Sequence, residues 1–140
     1  SIHALGSYRM SRLLVPQMRT QPRGDVVMIS SVAAQGMGAR GAPYNMGKAA
    51  QEAIAYTLAK EEQPHGIHVN VVAPGLVDTD MGRRLAKATR RVDDIHELDS
   101  SSPFGRVCSP EDIADAVVFL CSEDAAYVTG QRITVNGGGF

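Results

Sequence analysis

Tryptophan is absent from this chain and cysteine occurs only twice, at Cys108 and Cys121. The two thiols show neither C-x-x-C nor histidine-rich spacing, which leaves no case for a disulfide scaffold or a metal site. They read as reduced, packed residues, with Cys121 on an apolar helix face. A charge excess is missing as well. Fourteen Lys and Arg stand against 15 Asp and Glu, for a net charge of −1, so nothing electrostatic draws the chain to nucleic acid or an anionic membrane. No apolar run approaches the ~18 residues that span a bilayer. The start carries no continuous hydrophobic leader, so a cytoplasmic setting is expected. Internal repeats and low-complexity tracts are also lacking.

What remains is ordinary for a folded enzyme-sized unit. An apolar fraction of 44% and a charged fraction of 21% over 140 residues suit one domain with a real core. Leu5, Tyr8, Leu13, Leu14 and Met18 recur at helical spacing over Ile2–Met18, with Pro16 weakening the last turn. After a turn at Thr20–Asp25, Val26–Ser30 reads as a short strand apolar on both faces, the pattern of a covered parallel sheet. A helix follows from Pro43 to about Glu62, where Ala49, Ala50, Ala53 and Ala59 permit close packing. Pro64–Gly66 stops it, and Ile67–Ala73 forms a second buried strand. Asp80–Ser102 is polar, with one helical piece and a mobile D-S-S-S loop. Ser109, Pro110, Glu111 and Asp112 then mark a helix start, carried on by Ile113, Val117 and Leu120. Arg132–Asn136 is a last strand. Alternating strands and helices predict an α/β fold with a parallel sheet. Its apolar edge should require cover from a further segment or a partner.

Chemistry concentrates between Ser30 and Lys48. Ser31 lies just past the first strand, and Tyr44 and Lys48 are four residues apart, hence on one helix face a turn apart. A tyrosine hydroxyl is ordinarily a weak acid with a pKa of ~10, and an ammonium one turn away favours its phenolate form. A serine hydroxyl opposite could donate to a substrate oxygen while the phenol exchanges a proton with it. Ser30 is a rival to Ser31. Y-x-x-x-K alone is common as a helix surface pair; the preceding strand, serine pair and glycine-rich loop are what lift it.

The trio Ser31, Tyr44 and Lys48, with thirteen positions from serine to tyrosine (44 − 31), resembles the catalytic centre of the short-chain dehydrogenase/reductase family. N-V-V-A-P-G-L-V-D-T at Asn70–Thr79 resembles that family's second cofactor signature, and Tyr127–Gly138 its last strand. The resemblance runs from about Leu5 to Gly138. It implies an NAD(P)-dependent oxidoreductase that interconverts a secondary alcohol and a ketone, with Tyr44 as general acid and base. It implies further that Tyr44 and Lys48 hold the nicotinamide ribose, and that Pro74, Gly75, Val77 and Thr79 line the nicotinamide pocket, for NAD or NADP. Members of the family carry a glycine-rich pyrophosphate turn in a first half that has no counterpart here. The chain is therefore expected to be one partial domain, residues 1–140, the C-terminal half of a doubly wound parallel-sheet Rossmann-type fold, inactive alone, with a substrate loop at about 80–102.

Gly36–Gly41 spells G-x-G-x-x-G but lies away from the strand end and lacks a well-placed acidic residue, so a wall of the substrate cleft is expected instead of a phosphate cradle. His3 stands where many members of the family have a helix asparagine; it could relay a proton through water or be a surface histidine. His65, His68 and His96 share no metal spacing. The expected partner is a small alcohol or ketone, with no nucleic acid and no membrane, in a homodimer or homotetramer. A narrower alternative is 3-oxoacyl carrier-protein reduction. One of another class is a non-catalytic oligomerisation module built on the small-residue helix faces.

Overall fold

The computed structural model describes residues 2–139, and its three strands form one parallel sheet in the order β1-β2-β3. The strands are β1 (Gly24–Ile29), β2 (Ile67–Pro74) and β3 (Arg132–Val135). Met28 stands opposite Val71, and Val71 opposite Arg132. Central β2 is sealed on both faces: Ile67, Val69, Val71, Val72 and Ala73 are all buried. That is why its sequence is an unbroken apolar run instead of an alternation. The edge strand differs from expectation. β1 starts at Gly24 and stops at Ile29, Val26 and Val27 are only half-buried, and Ile29 is 42% exposed. Its faces are covered less fully than those of β2 among the described residues, and how far a face is covered is set by the helices packed on it.

α3 (Ala42–Glu62) carries the chain from β1 to β2. Together with α1 (Ser7–Met18) it covers one face, over a core of Val15, Met28, Ala55, Ala59, Ile67, Val69 and Val71. Each fully buried Val or Ile there contributes roughly 1.5–3 kcal/mol, while alanines 55 and 59 let the helix backbone approach the sheet. Ala53, by contrast, is exposed. The helix expected from Ile2 opens as a π-helical turn, Ile2–Gly6, before α1. Its far end is tied to the end of α3 by Arg19, whose guanidinium donates to both carboxylate oxygens of the buried Glu62 at 2.7 and 2.5 Å.

Beyond β2 the chain turns at Gly75 into α4 (Asp80–Arg90), whose N-terminus is capped by Thr79 Oγ1 accepting from the Gly82 amide at 3.1 Å. Gly82 is required by packing: a Cβ there would sit 1.8 Å from the Val77 carbonyl oxygen. The D-S-S-S stretch is not a mobile loop. Asp99–Ser101 lie in a 3-10 segment, Ile95–Ser101, with Ser102 as its cap; the segment is begun by an Asp94/Glu97 capping box and packed through Ile95 against Ala86 and Val107. α5 (Pro110–Leu120) starts at a reciprocal Ser109/Asp112 box, as its sequence requires. Cys121 caps α5 and is exposed, which corrects its reading as a packed residue. The apolar face turns inward at Leu120, one residue earlier, and the last turn ends there. Among the described residues no helix is long and apolar enough to cross a membrane, and no three His, Cys, Asp or Glu side chains cluster as a metal site.

Candidate active site

In a parallel sheet all strands end on one side, and the residues singled out by sequence leave from those ends. β1 does not simply stop at Ile29. The Ser30 amide donates to Val72 O at 2.8 Å and the Val32 amide to Pro74 O at 2.9 Å. The segment holding Ser31 is thus stitched alongside the Pro74–Gly75 bend. That bend is compressed onto β3: the Gly75 amide donates to Val135 O at 3.0 Å, and a Cβ at Gly75 would lie 2.8 Å from Asn136 Cβ. The strand ends therefore form one continuous backbone floor. One-turn helix α2 (Ala33–Gly36) follows Val32, and Ser31 Oγ accepts from the Ala33 amide at 3.2 Å. That bond uses one lone pair of the hydroxyl and leaves its proton free to donate.

α3 supplies the other side. Lys48 is buried, and its ammonium donates to Ile29 O at 2.7 Å and to Gln51 Oε1 at 3.2 Å. Gln51 in turn donates to Ser7 Oγ on α1 at 2.9 Å. Two of the three ammonium protons thus have acceptors among the described residues, and one remains for a ligand hydroxyl. Burial lowers the Lys48 pKa. The ammonium lies 6.0 Å from the centre of the Tyr44 ring, and Tyr44 itself is 38% exposed. The spacing of four residues has therefore done what helix geometry requires of it, with the amine inward and the phenol at the surface.

His3 packs edge-on to Tyr44, ring centres 5.5 Å apart at 89°. It is half-buried, and burial followed by the nearby Lys48 charge lowers its pKa, so its imidazole is neutral at pH 7. It is not a free surface histidine. The π-helical turn of Ile2–Gly6 brings it there; such widened turns are rare.

In the glycine-rich stretch Gly36 and Gly38 have open space where a side chain would be, so no protein atom demands glycine at either place, whereas a Cβ at Gly41 would lie 3.0 Å from Asn45 Oδ1. The loop is anchored by Asn45, whose side chain donates to Gly38 O at 3.1 Å. Of the second group, Val77 pairs with Cys108 and Thr79 caps α4. The Thr79 hydroxyl proton has only a long contact to Val77 O, at 3.5 Å, and can still serve a ligand.

A flat cofactor ring with an attached ribose fits this donor set: one spare ammonium proton, a phenol at the surface, a backbone floor, and a threonine hydroxyl at its rim. Sequence reasoning missed Glu52 and Arg132. Glu52 is buried below the site and linked to Ser30 Oγ at 2.6 Å and Arg132 Nε at 3.0 Å. Its signal was available, because positions 44, 48 and 52 share one helix face. His96 was also unassigned; it lies between Asp78 (3.4 Å) and Asp99 (3.2 Å) and ties the 3-10 segment to the Val77–Thr79 strap.

The family model described as enoyl-(acyl carrier protein) reductase matches residues 1–139. The oxidoreductase YmfI of Bacillus subtilis is 40% identical over 137 residues, covering 98% of this chain and 54% of that protein. The 3-oxoacyl-(acyl-carrier-protein) reductase FabG of Escherichia coli is 39% identical over 132 residues, 94% of this chain and 52% of its own. A solved 7 alpha-hydroxysteroid dehydrogenase complexed with NADH and 7-oxo glycochenodeoxycholic acid superposes with a TM-score of 0.86 at 31% identity, covering 98% of this chain and 52% of its own. The chain thus spans about half the length of the curated relatives it matches.

Proposed function

Because the chain belongs to the short-chain dehydrogenase/reductase family, an oxidoreductase family with a Rossmann-type α/β fold, we propose that it forms the catalytic half of an NAD- or NADP-dependent enzyme interconverting a secondary alcohol and a ketone. The nicotinamide, when bound, supplies or accepts the hydride. Tyr44 gives a proton to the carbonyl oxygen during reduction and removes it during oxidation. Ser31 donates a hydrogen bond to the same oxygen and polarises it. Lys48 stabilises the negative charge that develops on the phenol oxygen, and its third proton meets a ribose hydroxyl. Pro74, Gly75 and Val77 offer backbone groups to the carboxamide, and Thr79 its hydroxyl. His3 holds the Tyr44 ring edge-on.

The observation that supports this reading best is the Lys48 ammonium. It is buried, bonded to the β1 end, and set 6.0 Å from the Tyr44 ring with one proton unspent. A helix surface pair without function has no reason to bury its amine at that strand end. The test uses the full-length protein, with NADH and NADPH and ethyl acetoacetate as the first carbonyl probe. Tyr44→Phe should cost at least ~10²-fold in turnover; near-wild-type turnover refutes the role.

A second reading has one observation in its favour, the similarity to proteins that act on acyl-carrier-protein thioesters. It makes the substrate a 3-oxoacyl thioester, read by α4 and the segment to Ser102. Acetoacetyl-carrier protein compared with ethyl acetoacetate as substrates separates the two. Self-association through the outer faces of α1, where Met10, Leu13 and Leu14 are exposed, and of α3, would make a homodimer or homotetramer. Light scattering of the intact protein decides it.

A further inference from the structure

Arg132 opens β3, one strand removed from β1, yet its side chain reaches back across the sheet to the end of β1. Nε donates to Glu52 Oε1 at 3.0 Å, and Nη2 donates to the Ser31 carbonyl oxygen at 3.3 Å. The same Glu52 oxygen accepts from Ser30 Oγ at 2.6 Å, and the Tyr56 hydroxyl donates to the other at 3.4 Å. The ion pair is well buried, its side chains 12% and 7% exposed.

Burying two charges is costly, and apolar residues of similar size commonly do as well or better for stability. This row of the sheet carries Met28 and Val71 in register with Arg132, so an apolar third member would continue the pattern. What the charges supply is direction. All their bonds off the pair, Tyr56 and the Thr134 contact aside, go to Ser30 and Ser31, the point where the β1 ladder runs out. Without them the segment keeps the amide bonds of Ser30 and Val32 to β2, and Ser31 keeps the Ala34 amide on its carbonyl oxygen at 3.1 Å and the Ala33 amide on its hydroxyl at 3.2 Å; those last two tie the Ser31 peptide forward to α2, and Arg132 and Glu52 are what tie it to β3 and α3. The tilt of that peptide sets where the Ser31 hydroxyl aims.

We propose that Glu52 and Arg132 are positioning residues for Ser31: a buried carboxylate–guanidinium clamp that fixes the backbone bearing the carbonyl-polarising hydroxyl. The inference deepens the dehydrogenase reading and rests on it for its catalytic meaning. Glu52 sits one turn past Lys48 and two past Tyr44, so one helix carries the phenol and amine and also, through the clamp, sets the serine opposite them. The Ser30–Ser31 segment is then tied to the helix that bears the phenol and amine through Glu52, and to β3 through Arg132.

Full-length protein is tested with Arg132→Met and Glu52→Gln. Glu62→Gln, which removes a buried carboxylate paired with the half-exposed Arg19 away from the strand end, is the control. Amide hydrogen exchange without cofactor should quicken at Ser30–Ala34 by about tenfold or more in the first two variants, and not in the control. A uniform rise across β2, or no change, overturns the clamp whatever the activity. With ethyl acetoacetate and NADPH or NADH, kcat should fall roughly 10- to 10²-fold at constant cofactor KM. Adding Ser31→Ala to either variant should make it no slower than Ser31→Ala alone. Additive losses mean a role independent of Ser31 and overturn the proposal. If Arg132→Met does not fold, Glu52→Gln carries both readings. If Tyr44→Phe and Ser31→Ala leave turnover intact, the reaction assignment fails while exchange still decides the clamp.

Discussion

Gly82→Ala is the perturbation on which helix propensity and tertiary packing disagree in sign. Position 82 lies in the first turn of α4, where alanine is favoured over glycine by up to ~1 kcal/mol. The structure reverses this. The added Cβ would lie 1.8 Å from the Val77 carbonyl oxygen, and ordinary contact begins at 3.4 Å, so the first turn must retreat by about 1.6 Å (3.4 − 1.8). Such a retreat breaks the Thr79 cap, whose loss costs ~0.5–2 kcal/mol, and adds overpacking strain of ~1–3 kcal/mol. Net of a propensity gain of ~1 kcal/mol, a destabilisation of about 0.5–4 kcal/mol is expected. Because Val77 and Thr79 border the candidate nicotinamide surface, cofactor affinity should fall with it. Urea unfolding of the full-length variant measures the first, and a fluorescence titration with NADH and NADPH the second. Equal or greater stability with unchanged cofactor affinity would refute the packing argument.

Three further outcomes follow from the charge environments. Burial lowers the Lys48 pKa below its ordinary 10.5; the unfolded chain then binds the proton more tightly, so stability climbs as pH rises from the lowered value toward 10.5. Lys48→Met should lack that climb in unfolding measured across alkaline pH. Arg106 grips Asp112 through two bonds, and the Ser109 amide adds a third; together they hold its carboxyl well below the usual range. The stability Asp112 contributes is full above its ordinary 3.8 and is lost as pH falls below that. Asp112→Asn should therefore differ from wild type in urea at pH 7 and converge with it in acid. Burial pushes the Cys108 thiol up to about 11, so iodoacetamide at pH 8 should label Cys108 more slowly than exposed Cys121, as mass spectrometry would show; equal rates contradict it.

The sequence was most legible where a local rule acts alone. Ser109, Pro110 and Asp112 announced the start of α5, and Pro43 that of α3, because caps and first-turn prolines satisfy backbone groups within a few residues. The unbroken apolar run of β2 announced a strand covered on both faces. β1 is nearly as apolar but only half-buried among the described residues; how fully its faces are covered depends on what packs against them, which its own residues do not encode. Local reading failed for the D-S-S-S stretch, where polar residues that read as a mobile loop belong to a segment ordered by the Asp94/Glu97 capping box and by one buried side chain, Ile95.

The resemblance carried by Ser31, Tyr44, Lys48 and the Asn70–Thr79 segment was enough to name the family, an oxidoreductase one, and helix periodicity alone puts an amine one turn from a phenol. Only the folded chain decided what surrounds them: Lys48 Nζ on Ile29 O, His3 against the Tyr44 ring, and Arg132 reaching Glu52 and Ser31. Those pairs are separated by tens of residues, 80 for Glu52 and Arg132. Local preference carries no information over that distance, and strand register with helix packing supplies it.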